Sequence, residues 1–333
     1  MSINIIKAGI LDTIQDMGRN GYGSIGISTG GAMDTYAARL ANYLTGNNGC
    51  EPLLEMHFPG PQILFEENAL IALAGGDFSA TVDNENIPAW QPLIVRKNTL
   101  MQFPHWQKGA RVYLAVKGGF QSEKWLGSNS THIKVGAGGF EGRKLQRGDI
   151  IHFKGSECNS KSFLHEKDNL HVFPWRANIT NTYRNPDVIF VMKGREWNWL
   201  PEDARSRFLN NEFHIRQSSD RMGYQLEGEN LFIPNNTELI SSPVNFGTIQ
   251  LLPEGQMIIL MADHQTTGGY PRIANVISAH LPKLAQRREG ERIVFRLVDN
   301  DIAEKLFIAQ EKELQIQKQS SIDHINEYVK CTV

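Results

Sequence analysis

Residues 249–275 read IQLLPEGQMIILMADHQTTGGYPRIAN. Two apolar runs of strand length, 249–252 and 257–262, flank Pro253-Glu254-Gly255, the punctuation of a hairpin between short strands. The second run gives way at once to Asp263, His264, Gln265, Thr266 and Thr267, then Gly268, Gly269, Tyr270, Pro271 and Arg272. A buried strand that ends in so many hydrogen-bonding groups places its chemistry on a loop held by a rigid scaffold. Adjacent glycines allow backbone N–H groups to converge on an anion, and Arg272 adds a two-pronged charged contact. Gln265, Thr266, Thr267, Gly268, Gly269, Tyr270 and Arg272 are therefore candidates for holding a carboxylate or phosphate. Asp263 or His264 can supply a base, or a carboxylate that orients a neighbour; side chains adjacent on extended backbone face opposite ways, which argues against a dyad. The competing reading is a loop tied by its own Thr, Asp and Gln side chains.

Upstream of this stretch, 188–192 is an apolar strand, and 201–209 is a helix with proline in its first turn and Glu202-Asp203 favouring its N-terminus. Strand 213–217 opens onto a second polar cluster, Ser218-Ser219-Asp220-Arg221-Met222-Gly223-Tyr224. There Asp220 and Arg221 form an ion pair across a turn, or Arg221 meets an anion. Downstream, 293–298 is a last strand, and 301–317 a charged helix with its apolar stripe at Ile302, Leu306, Ala309 and Leu314. The tail after Ser320 is expected to fray.

The N-terminal half repeats the β pattern. Short strands are expected at 53–58, 62–65, 70–74, 79–82, 92–96, 100–103, 112–116 and 149–153, at turn-punctuated intervals that suggest a barrel or sandwich. A strand at 3–8 precedes a glycine-dense run, in which Gly21-Tyr22-Gly23-Ser24-Ile25-Gly26 matches GxGxxG. With no strand leading directly into it and no helix opening on its last glycine, the match is a coincidence rather than a dinucleotide site. Asp34 is the N-cap of a helix over 35–44, a role that competes with a catalytic one. Ser128 lies in a polar loop, 126–132, that faces a ligand or caps a barrel mouth, and no neighbouring His or acid marks it as a nucleophile. The resulting domains are a glycine-rich β-barrel at 1–165, a connection at 166–187, a second barrel at 188–300, and a C-terminal helix and tail at 301–333.

With 333 residues and 41% hydrophobic composition the chain can bury sizeable cores. A formal net charge of -2 and the lack of a basic tract interleaved with aromatics argue against nucleic acid. No signal-peptide pattern and no long apolar run occurs, so a cytoplasmic protein without a membrane partner is expected. Cys50, Cys158 and Cys331 follow no disulfide or zinc spacing, the ten histidines lack close metal-ligand spacing, and no metal site is expected.

Several motifs occur together in order: Asp16-Met17-Gly18-Arg19, Gly30-Gly31-Ala32-Met33-Asp34, Gly46-Asn47, the strand 109–119 ending in Gly118-Gly119, Leu126-Gly127-Ser128, Ser219-Asp220-Arg221-Met222-Gly223-Tyr224 and Gly268-Gly269-Tyr270-Pro271. Over roughly residues 5–298 the sequence resembles the allophanate hydrolase subunit 2 family, also labelled biotin-dependent carboxyltransferases, which includes KipA proteins and the C component of bacterial 5-oxoprolinase. The resemblance implies a mainly β chain with two cyclophilin-like β-barrel domains and a few short helices. It implies a heteromer with a KipI-like partner of the allophanate hydrolase subunit 1 family, the B component of 5-oxoprolinase, and with the A component of that enzyme. Its reaction would be ATP-dependent opening of the 5-oxoproline lactam, a small-molecule amide, to glutamate.

On that reading Arg19, Arg221 and Arg272 hold anionic groups, and Asp16 or Asp263 is a base or a metal-facing carboxylate. No Walker A sequence is present, so ATP is bound by, or shared with, the partner. No lysine stands between two methionines as in biotin acceptors, so covalent biotin on this chain is not expected. The alternatives are a carboxyltransferase component acting on urea or another amide with carboxybiotin on a partner chain, and a KipA-like regulator that binds a kinase inhibitor. His264, Asn129 and Gln225 stand where the family pattern carries arginine.

Overall fold

The computed structural model describes residues 1–154, 164, 168–234 and 239–330. The chain divides into two compact units, one made of Met1–Gly18, Asp34–Asn178 and Lys312–Val333, the other of Arg19–Met33 and Ile179–Glu311. Residues 19–33, expected inside the first domain, thus belong to the second unit.

In the first unit the expected barrel takes the form of two six-stranded antiparallel sheets. One runs Ile150–His152, Ser2–Lys7, Gln62–Phe65, Leu100–Gln102, Thr81–Val82 and Glu85–Asn86. The other runs Leu170–Val172, Pro92–Val95, Ala69–Asp77, Lys108–Val116, Leu53–His57 and Thr13–Gln15. The strand Leu170–Val172 lies in the segment expected to be an interdomain connection and pairs with Pro92–Val95. Both sheets feed one core, with Ile3, Ile5, Ile63 and Phe65 from the first and Leu54, Met56, Ile71, Leu73, Val112 and Leu114 from the second. Ser2–Lys7 alternates buried and accessible side chains as a strand with one wet face does, whereas Ala69–Asp77 is buried through most of its length. Helix α1, Thr35–Leu44, accounts for the difference, because it covers Ala69–Asp77 and Lys108–Val116 with Tyr36, Leu40, Tyr43 and Leu44 buried. The Asp34 carboxylate accepts a 2.9 Å bond from the Ala37 N–H, the predicted N-cap.

The second unit is a closed seven-stranded barrel. Around it the strands follow Val188–Lys193, Arg272–Val276, Thr248–Leu251, Met257–Leu260, Gly223–Glu227, Phe213–Ile215 and Arg292–Leu297. All neighbours are antiparallel except the closing pair, in which Arg292–Leu297 lies parallel to Val188–Lys193. Thr248–Leu251 and Met257–Leu260 form the predicted hairpin. Helix α2, Glu202–Asn210, contributes Phe208, which stacks on Phe295 with ring centroids 4.6 Å apart. Helix α3 spans Leu281–Ala285. Met33, at the end of the 19–33 segment, is buried in this unit's core beside Ile189, Ile259 and Ile273.

Helix α4, Asn300–Lys330, continues well past the predicted end at 317, so the tail predicted to fray is helical as far as Lys330; its last three positions lie outside the described residues. Leu314 and Ser321 are buried, and in the first unit His324 and Tyr328 pack on Trp175, which gives the last turns apolar partners that a free tail lacks. Among the described residues no helix is long and apolar enough to cross a membrane.

Candidate functional site

In the second unit, barrel closure brings the turn after Phe213–Ile215 beside the end of Met257–Leu260 and against the glycine segment 29–31. The Asp263 N–H donates to the Arg221 carbonyl at 2.8 Å, and the Gly30 N–H to the Ala262 carbonyl at 3.2 Å. Arg221 spans the junction: Nε reaches Asp263 Oδ2 at 2.8 Å, and Nη2 reaches Asp263 Oδ1 at 3.1 Å and the Gly31 carbonyl at 2.6 Å. Gly30 and Gly31 take positive φ values of 62° and 89°, backbone that side chains rarely adopt. A Cβ on Gly30 would also lie 2.9 Å from Arg19 Nη1 and 3.5 Å from Asp263 Oδ1, so the glycine sits where Arg19 and Asp263 converge. Arg19 is 2% exposed and its N–H donates to the Thr29 carbonyl at 2.8 Å. Two guanidinium groups and one carboxylate around a glycine backbone give a positive locus suited to a carboxylate or a developing oxyanion.

The predicted loop divides differently from expectation. Asp263 serves Arg221 with both oxygens, so it orients a guanidinium. His264 is buried with its ring Nδ1 2.5 Å from the Gln265 carbonyl, a contact in which only the ring can donate. Burial pulls its basicity below the usual histidine range despite the Gln265 bond and the Asp263 charge. Asp220 does not pair with Arg221; its Oδ1 accepts from the N–H groups of Met222 at 2.7 Å and Gly223 at 3.1 Å, closing the turn.

Gly268 and Gly269 adopt no left-handed backbone, and Thr267–Gly268 pairs as a short strand with Ser242–Pro243 rather than forming an anion nest. Gly268 is needed for space, since a Cβ there would lie 2.4 Å from Gln250 Nε2. Thr266 offers its carbonyl to the Val244 N–H at 3.1 Å, Gln265 is exposed with its amide 3.5 Å from Gln250 Oε1, and Tyr270 is 43% exposed.

Arg272, predicted to hold an anion, holds the chain's own Glu196. Its Nε, Nη2 and backbone N–H reach the Glu196 carboxylate at 2.9, 2.7 and 2.9 Å, and Nη1 reaches Ser242 Oγ at 2.6 Å. Burial alone would raise the Glu196 carboxyl, but the Arg272 hydrogen bonds and charge outweigh it and hold the group below the usual carboxylate range. Sequence reasoning misses Glu196. A buried glutamate needs a cation, yet nothing near Arg195-Glu196-Trp197 points to a partner 76 positions away.

In the first unit, Asp16 and Ser128 meet each other. The Asp16 carboxylate accepts from Ser128 Oγ at 2.6 Å, Ser130 Oγ at 2.6 Å, the Asn129 N–H at 2.6 Å and the Gly18 N–H at 2.8 Å. Ser128 Oγ also accepts from the Ser130 N–H at 3.0 Å, and the residue is fully buried. Asp16 is therefore a latch for the 128–130 loop, its carboxylate engaged by four donors of the chain, and Ser128 is part of that latch. Asn129 donates its side chain to Ser122 Oγ at 2.9 Å. Asp34 is fixed twice, by its cap and by its N–H, which donates to Tyr113 Oη at 2.8 Å while that hydroxyl donates to Glu55 at 2.8 Å. Elsewhere in this unit, Asp12 is wholly buried; Oδ2 accepts from the Gly9 N–H at 2.6 Å and Oδ1 has no partner among the described residues. Burial pushes its carboxyl up to about 7, only partly offset by the Gly9 bond and the Lys144 charge.

Residues 25–297 match the family described as carboxyltransferase domain, subdomain A and B. The C component of 5-oxoprolinase from Haemophilus influenzae is 35% identical over 304 residues, covering 91% of this chain and 94% of that protein. Its Escherichia coli counterpart, of the same name, is 35% identical over 293 residues, covering 88% of this chain and 90% of the relative. Among solved structures, the Kluyveromyces lactis urea carboxylase aligns with a TM-score of 0.85 at 26% identity, over 96% of this chain but 29% of the other. The K. lactis urea amidolyase aligns with the same TM-score at 27% identity, over 95% of this chain and 20% of the other. The chain thus spans less than a third of either solved structure and nearly the whole of the two bacterial relatives. Matched in order through most of its length, it belongs to the carboxyltransferase domain family of subdomains A and B.

Proposed function

We propose that the chain is the C component of a 5-oxoprolinase and works with the A and B components to open the lactam of 5-oxoproline to glutamate. The observation that carries this reading is the end-to-end similarity to two proteins of that name, each spanned over nine-tenths of its length or more. The Arg19, Arg221 and Asp263 locus supports it, since 5-oxoproline carries a carboxylate and its ring opening develops negative charge on the amide oxygen. Arg221 would meet substrate only with its orientation fixed by Asp263 and Gly31. The chain offers no helix N-terminus for a nucleotide at its GxGxxG match, where Gly23–Ile25 is a single 3-10 turn. We therefore assign ATP binding to a partner.

The test is glutamate formation from 5-oxoproline and ATP by the A and B components with and without this chain. Turnover that requires the chain supports the reading, and none from an assembled complex overturns it. The fold match to urea carboxylase favours a second reading, carboxyl transfer to the nitrogen of urea or another amide from carboxybiotin on a partner. Transfer of labelled carboxylate from a carboxylated carrier to urea distinguishes the two.

A further inference from the structure

The glycines at 21–26 open no helix, and the segment they punctuate hangs from the second unit by a closed neck. There the Arg19 N–H donates to the Thr29 carbonyl at 2.8 Å, and Ser28 on the returning arm is buried. Compact surface loops whose ends lie this close are frequently functional. Inside the loop the backbone bonds are local: the Ile25 and Ile27 N–H groups both donate to the Tyr22 carbonyl at 3.2 Å, and the Gly26 N–H to the Gly23 carbonyl at 3.1 Å. A Cβ added to Gly21, Gly23 or Gly26 would meet nothing within 4 Å, so these faces of the loop are open.

Gly21 and Gly26 take φ values of 94° and 83°, which lets the backbone turn on both sides of the single 3-10 turn Gly23–Ile25 at low steric cost. Ile25 is 68% exposed. Asn20 and Ser24 are exposed and Tyr22 is half-buried, and none of these three side chains has a hydrogen-bond partner among the described residues. A segment bonded within itself and open on its sides belongs to the low-stability end of a fold, from which moving elements are drawn. Its neck holds the anion locus. Arg19 begins it, and beyond Thr29 come Gly30, where Arg19 and Asp263 converge, and Gly31, whose carbonyl holds Arg221. Out and back, a loop over 20–27 reaches at most about 15 Å from its neck, which keeps Tyr22 and Ser24 within range of an anion at its base.

We propose that residues 20–27 are a lid over the Arg19–Arg221 locus, which closes on a bound carboxylate and brings the Tyr22 and Ser24 hydroxyls to it as further hydrogen-bond donors. Closure expels water, which strengthens the contacts of both guanidinium groups with the anion. Burying Ile25 at the same time offsets part of the entropy lost in ordering the loop. The lid rests on the reading of this locus as a carboxylate site, and not on which amide is opened there.

The test is hydrogen exchange, followed by mass spectrometry, on the intact chain with 5-oxoproline, with acetate as the plainest carboxylate, and with neutral urea. Exchange across 20–27 should slow at least about fivefold with a carboxylate, together with the amides around 221 and 263, and should not respond to urea. The double variant Tyr22→Phe, Ser24→Ala should keep the wild-type circular dichroism and the exchange seen without ligand, and lose most of the slowing that a carboxylate induces. Slowing with acetate and not with 5-oxoproline upholds the lid and counts against the 5-oxoproline reading. Slowing around 221 and 263 with 20–27 unchanged overturns the lid while the anion site stands. No slowing with either carboxylate overturns it as well, as does undiminished closure in the double variant.

Discussion

Arg221 grips Asp263 with two nitrogens, 2.8 and 3.1 Å from the two carboxylate oxygens, and joins residues 42 positions apart. The same guanidinium holds the Gly31 carbonyl at 2.6 Å, so one planar side chain fixes a turn, a strand end and the glycine segment.

Arg221→Lys keeps the charge and loses the fork. A lysine cannot serve two carboxylate oxygens and a carbonyl in one plane. We expect a stability loss of roughly 1–3 kcal/mol and, in the reconstituted complex, a fall in kcat/KM of about tenfold or more, equivalent to at least about 1.4 kcal/mol. Thermal denaturation and steady-state kinetics on one preparation check both. Wild-type kinetics with reduced stability would reduce Arg221 to a structural clamp.

Arg272→Ala should act on stability, because Glu196 is 3% exposed at its side chain and would lose its cation. Removing one member of a buried pair costs about 3–5 kcal/mol. Replacing Glu196 by Gln as well should recover part of that loss. A double-mutant cycle by denaturant titration reads the coupling, and additive effects would show the pair to be energetically slack.

Asp16→Ala strands two serine hydroxyls and two backbone N–H groups, whereas Ser128→Ala removes one of four donors to the carboxylate. We expect about 1 kcal/mol for the serine and several times that for the aspartate. Limited proteolysis across 126–132 should be faster in Asp16→Ala. If the two variants lose equal stability, the latch is not centred on the carboxylate.

Acidification should act in opposite senses on the two units. Asp12 holds its proton to about 7 when folded, against an ordinary 3.8, so the folded form binds more protons between those values and stability is lost as pH rises through them. His280 behaves oppositely, since burial lowers it from 6.5 to about 3 and stability is lost as pH falls below 6.5. From pH 7 to 5, hydrogen-exchange protection, corrected for the slower intrinsic exchange at lower pH, should rise around Asp12 and fall around His280. Asp12→Asn should exceed the wild type in stability at pH 8, with the advantage shrinking at pH 5. Equal pH responses in both regions would contradict these environments.

Much of the architecture is legible in the sequence because alternation and turn residues report directly on strands, as at 62–65 and in the 249–260 hairpin. Asp34 is readable as a cap because its partner lies three residues on. The site is readable only in its residue types. Arg221 and Arg272 both announce anion binding, yet their carboxylates come from Asp263 and Glu196, brought close by barrel closure. Asp16 likewise finds Ser128 at a separation of 112 residues. Gly268-Gly269 misleads because sequence shows that a Cβ is missing and not whether conformation or space requires it.

The parallel pairing of Val188–Lys193 with Arg292–Leu297 has a consequence for biosynthesis. Translation delivers the closing strand last, so the nascent barrel carries two unsatisfied edges until residue 297 has left the ribosome. The 19–33 segment has its own long wait: Gly31 is made early, and the arginine that holds its carbonyl follows 190 positions later. A chain truncated before Arg292 therefore leaves an open, adhesive sheet for chaperones to shield.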